Sequence, residues 1–151
     1  MDVRHRLEEL NLKLPAIPPL GGIYKPVKQV GNMLYVSGQG ATVNGIPVIT
    51  GKLGATRTIE EGQEAARICT MNCLSVLQAF LGNLDRIKSV VKILGFVASA
   101  DDFHYQPKVI DGASRLLEQI FGEDGKGARS AIGVNELPGD ISVEIEFLFE
   151  V

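Results

Sequence analysis

The chain lacks any apolar run long enough to cross a bilayer. Its longest, around Val90 to Val97, is broken by Lys92 and Gly95 and falls far short of the roughly 20 residues a spanning helix needs. No signal peptide is expected, because Met1 to Leu14 is dense in charge where an apolar h-region would lie. There is no cluster of lysine and arginine, and the net charge of -3 argues against a nucleic-acid footprint. Cysteine is scarce. Cys69 and Cys73 stand four residues apart in a helical pattern, on one face, where a standard disulfide has no room and no second ligand pair completes a metal site. They read as small buried hydrophobes, and unlinked thiols suit a reducing cytoplasm. His5 and His104 have no plausible Ser or Cys partner nearby, so no nucleophile constellation assembles. The glycines around Gly38 and Gly40 fit neither the dinucleotide nor the Walker spacing.

What is present is ordinary globular material. At 151 residues, 45% hydrophobic and 22% charged, the chain is long enough to bury a real core and too apolar for bulk disorder. Residues 1–151 are expected to form one domain, with residues 1–22 as an N-terminal helix and a proline-rich strap. Val3, Leu7 and Leu10 recur at helical spacing, and Pro15, Pro18 and Pro19 followed by Gly21 and Gly22 should run extended over the surface.

The strands and helices follow from periodicity. Val27 to Val30 and Met33 to Val36, split by Gly31 and Asn32, form a hairpin whose leading glycine suits a type II′ turn. Ser37, Gly38, Gln39 and Gly40 follow, a stretch open to close backbone approach, and the segment with Asn44, Gly45, Pro47 and Gly51 reads as a loop. Thr58 to Leu81 is the longest helix, with Thr58 as N-cap and Glu61 as its capping-box partner. Ala66, Cys69, Cys73, Val76 and Phe80 make its main buried stripe, widened by Ile68, Met71, Leu74, Leu77 and Leu81. Ser89 to Ser99 is apolar on both parities, which places it mid-sheet with both faces covered. A second helix runs over Pro107 to Phe121. In the last strand Val143, Ile145, Phe147 and Phe149 alternate with Ser142, Glu144, Glu146 and Glu150. The order predicts an α+β fold, a mixed sheet with two helices packed on one face, the other face left to water or another subunit.

Arg129 stands in the uncharged run from Gly127 to Gly133. A guanidinium offers a planar fork that fits a carboxylate bidentately. Two readings stand level here: a receptor for a small organic acid, or an arginine that snorkels out or pairs with Glu144 or Glu146. The phenol of Tyr24 and the glycine backbone add further polar groups.

Longer spacings carry a resemblance. Ala128, Arg129, Ser130, then Leu137, Pro138, then Val143, Glu144, Ile145, together with Tyr24, Gly31, Asn32, Ser37, Gly38 and Gln39, are similar to the motifs of the Rid family, the reactive intermediate deaminases, also called YjgF-like or endoribonuclease L-PSP-like. The resemblance covers Tyr24 to Val151, and the N-terminal segment looks like that of the family's extended subgroup. It implies a chorismate-mutase-like sheet, a homotrimer with sites in the clefts between subunits, no cofactor and no metal, and hydrolysis of reactive 2-imino or enamine acids to 2-keto acids and ammonia. By motif, Arg129 would hold the substrate carboxylate, Glu144 would orient water, and Tyr24, Ser37, Gly38 and the Ala131 backbone would line the pocket. Three positions depart from the family: Ala131 for a frequent cysteine, Gly127 for a proline, and Asp111 to Ser114 in a helix where an asparagine is common. They keep a second class of function in view, a trimeric binding protein or sensor for small carboxylates without turnover. A ribonuclease conflicts with the acidic charge.

Overall fold

Capping and turn chemistry fix the element ends in the computed structural model, which describes residues 2–151. Helix α1 (Val3–Glu9) is capped by Asp2, whose carboxylate accepts from the His5 N–H at 2.8 Å. The Val3 N–H donates to Asp85 Oδ1 at 2.7 Å, pinning α1 to the short turn at Leu84–Arg86. Residues 12–21 have no regular structure. Strands β1 (Val27–Val30) and β2 (Met33–Gly40) form the hairpin, with Val30 opposite Met33. Of its two turn residues only Gly31 has a positive φ, 59°, as a type II′ turn requires.

Where a loop was expected, β3 (Thr42–Val43) pairs with β4 (Ile46–Pro47). Asn44 and Gly45 connect them, both at positive φ (53° and 77°), which is the type I′ pattern that Asn-Gly favours. Helix α2 (Ile59–Leu81) carries the full capping box of Thr58 and Glu61 and ends at left-handed Gly82. Ala66, Cys69, Cys73 and Val76 are buried, but Phe80 is 45% exposed. In the last turn Leu77 and Leu81, one step round the helix, take the inward direction instead.

Strand β5 (Ser89–Ala98) leads into helix α3 (Gln106–Phe121), then β6 (Ala128–Val134) and β7 (Val143–Glu150). The five-stranded sheet has the order β1-β2-β7-β5-β6. The β5–β6 pair is parallel and the others antiparallel. The result is the chorismate-mutase-like α+β arrangement, with α2 and α3 on one face. Val143, Ile145, Phe147 and Phe149 are buried on that face with Val90, Ile93 and Val97. The expected double cover of β5 is met on this side only. On the other side Val91, Leu94, Phe96 and Leu148 are half-exposed, flanked by the more open Tyr35 and Ile132. Among the described residues, no helix is long and apolar enough to cross a membrane.

Candidate active site

Glu144 lies on the central strand β7, opposite Gly40 of β2 and Phe96 of β5. Its neighbours Val143 and Ile145 point into the core, so strand alternation turns Glu144 to the open face. The carboxylate rests against Gly38: a Cβ there would stand 2.7 Å from Glu144 Oε2, so the missing side chain makes its room. Glu144, Gly38 and Tyr24 line a cavity of about 280 Å³, in which Glu144 is the only charged group among the described residues. Burial first, and the charge of Glu146 second, raise the Glu144 pKa above its ordinary value. A carboxylate so placed is a better base than a solvated one at the same pH.

Tyr24 is held at the rim, its phenol oxygen accepting from the Gly21 N–H at 3.1 Å. Ser37 stands apart from the Glu144 cavity. Its hydroxyl donates to the Lys25 carbonyl at 2.7 Å, and it borders a separate groove with Lys28 and Glu146.

Arg129 is on edge strand β6, opposite Ile93. Its Nη1 donates to Asp111 Oδ1 at 2.7 Å and Ser114 Oγ at 3.1 Å. Both acceptors belong to α3, so the side chain lies on the helix side of the sheet. Its ion-pair partner is therefore Asp111, not Glu144 or Glu146. Among the described residues both bonds use Nη1, which leaves Nη2 and Nε as a fork for an incoming carboxylate. Ala131, opposite Gly95, shares the Arg129 face and packs against the core.

Within one chain the predicted residues other than Ser37 thus form two groups. Tyr24, Gly38 and Glu144 share a cavity on one side of β5. Arg129 and Ala131 lie on the other side and the other face. With Arg129 opposite Ile93 and Glu144 opposite Phe96, strand spacings put their Cα atoms about 14 Å apart. Sequence reasoning noted Asp111 and Ser114 only as a departure, although their spacing of three places both on one helix face. It missed Pro18 and Leu20, which line the Glu144 cavity.

The two cysteines are buried, the Cys69 thiol donating to the Val143 carbonyl at 3.4 Å. Burial pushes both thiols well up, which makes them poor nucleophiles. Among the described residues no group of three or more His, Cys, Asp or Glu is placed to hold a metal ion.

Fold and motifs together define a YjgF-like chain. A family model described as YjgF/chorismate mutase-like, putative endoribonuclease matches residues 4–150, and the protein belongs to this family. Protein TCP17 of Trypanosoma cruzi is 43% identical over 150 residues, 99% of this chain and 94% of that protein. A 2-iminobutanoate/2-iminopropanoate deaminase of Dermatophagoides farinae is 32% identical over 136 residues, 89% of this chain and 91% of its own length. The crystal structure of Atu1372 from Agrobacterium tumefaciens, a protein of unknown function, superposes with a TM-score of 0.90 at 40% identity, covering 99% of this chain and 94% of the other.

Proposed function

We propose that the protein hydrolyses reactive 2-imino acids and their enamine tautomers to 2-keto acids and ammonia, in clefts between the subunits of a homotrimer. The observation that carries this reading is the split of the two charged groups. Arg129 on the edge strand retains two donors, while the half-buried carboxylate of Glu144 has no cation in its cavity wall. Among the described residues the Glu144 cavity lacks a cation, Arg129 keeps donors free beyond its Asp111 pair, and one chain holds the two groups on opposite faces. A second copy whose edge strand β6 lies along the open face of the first would bring Arg129 to the Glu144 cavity. Family membership and the named activity of the mite deaminase support the same chemistry.

In this site Arg129 holds the substrate carboxylate, an interaction worth about 1.5–3 kcal/mol that fixes the iminium carbon in front of Glu144. Glu144 accepts a proton from water as the water oxygen adds to that carbon and returns it to nitrogen. As the C–N bond breaks and ammonia leaves, the same carboxylate takes the hydroxyl proton, the carbonyl forms, and the proton passes to the departing ammonia as ammonium. The iminium carbon is already electrophilic, so placing the water supplies much of the acceleration. Tyr24 and Gly38 shape the cavity, and the Ala131 carbonyl serves where a thiol is absent.

Purified protein should accelerate keto-acid formation from an imine generated in situ by an amino-acid oxidase, and Arg129→Ala should lose the effect while keeping its circular dichroism spectrum. Equal rates for the two proteins would overturn the proposal. A carboxylate sensor is the second reading, favoured by the Asp111 carboxylate already seated on Arg129. It requires saturable, Arg129-dependent binding of a 2-keto acid with no imine turnover.

A further inference from the structure

The Glu144 cavity is walled on one side by the sheet residues Gly38 to Gly40 and on another by the strap. Pro18, Pro19, Leu20 and Gly21 line it beside Tyr24, although they lie far from Glu144 in sequence. Two contacts tie the strap to the body of the fold and a third closes it locally. The Ser75 hydroxyl donates to the Pro15 carbonyl at 2.7 Å, and the Gly21 N–H donates to the Tyr24 phenol oxygen at 3.1 Å. Pro19 sits so close to the β3–β4 turn that a Cβ on Gly45 would come within 2.8 Å of its Cγ. Prolines lock φ, so this wall loses little freedom when a ligand arrives.

The wall is also apolar and roomy. Leu20 is 52% exposed, and Glu144 is the only charge in the lining among the described residues. A cavity of about 280 Å³ holds roughly nine waters at about 30 Å³ each. The methyl group of 2-iminopropanoate would reach little of this wall, whereas a branched four-carbon side chain is long enough to contact Leu20 and Pro18.

We infer that the strap is the specificity-determining element of this site, selecting 2-imino acids with a medium-sized branched apolar side chain, and that Leu20 is its principal contact. The inference rests on the imine-hydrolysis reading, with the side chain of the substrate directed away from the carboxylate grip of Arg129.

The test compares kcat/KM for 2-imino-4-methylpentanoate and 2-iminopropanoate, generated in situ from leucine and alanine, in the full-length protein. Wild type should prefer the longer imine by about tenfold, the scale set by small apolar increments in a pocket. Leu20→Ser should cut that ratio by about fivefold or more, and Leu20→Met should retain it. An absent preference in wild type, or one that survives Leu20→Ser, overturns the inference and leaves imine hydrolysis standing. If wild type hydrolyses neither imine, the functional reading fails instead. Calorimetric titration with 4-methyl-2-oxopentanoate and pyruvate then reads the strap: a Leu20-dependent preference for the longer acid upholds it, and equal or absent binding overturns it.

Discussion

In the proposed site Arg129 serves two partners, one of them in its own chain. Asp111 Oδ1 accepts from Nη1 at 2.7 Å, and this carboxylate shares the guanidinium with any substrate carboxylate. Because the pair is partly exposed, its strength is of the order of 0–1 kcal/mol, enough to tune affinity without blocking it. Asp111→Asn keeps an acceptor for Nη1 and removes the charge, so the KM for a 2-imino acid should fall by about two- to fivefold with little change in kcat. Initial-rate kinetics at low salt read this directly, and an increased KM would contradict it. Glu144 is tuned by burial first and by a like charge second. Burial and Glu146 both favour its protonated form, so the ionised base is lost at a higher pH than an ordinary glutamate would lose it. Glu146→Gln removes the second cause and leaves the first. The acid limb of the kcat/KM profile should then move to lower pH, which a pH-rate series in a constant-ionic-strength buffer will show.

At the scale of elements, α3 ties the arginine to the fold. Gly112, next to Asp111, meets α2 so closely that a Cβ would stand 2.2 Å from the Gln63 carbonyl oxygen. Gly112→Ala must push α3 away from α2, at a cost of about 1–3 kcal/mol for overpacking. It should shift the Asp111 and Ser114 anchors of Arg129 as well. Urea denaturation should show a lower midpoint, and KM should change along with it; a variant as stable as wild type would mean that the helices slide freely. The elements were legible where a local signal was strong. Thr58 and Glu61 announced α2, Gly31 announced the hairpin, and Val143 to Glu150 announced β7 by alternation alone. The β3–β4 pair escaped because two residues per strand give no period, although Asn44-Gly45 carried the turn signal. Long-range partnerships left no local trace. Asp111 meets Arg129 through a parallel crossover, and Leu20 reaches the Glu144 cavity through the course of a strap with no regular structure. Phe80 was misplaced because the end of α2 offers apolar residues in two adjacent directions and packing chooses between them.

For the molecule as a whole, the open sheet face is the surface that the proposed trimer must use. Leu148, between Tyr35 and Lys92 in the ladder, lies near its centre. Leu148→Lys would place a charge there, and burying an unpaired ammonium costs several kcal/mol. Sedimentation should report a smaller species than wild type, with imine hydrolysis lost although Arg129 and Glu144 are intact. Unchanged mass together with unchanged turnover would remove this face from the assembly. The sheet order carries one more consequence, for synthesis. The hairpin β1–β2 and the pair β5–β6 join only through β7, the last of the seven strands to be made. Until it arrives, two sheet fragments each present an unpaired inner edge, a template for wrong partners. A chain interrupted before Val143 therefore lacks Glu144 and exposes both edges at once, so an unfinished copy would be prone to aggregate and, in the proposed site, would have no base.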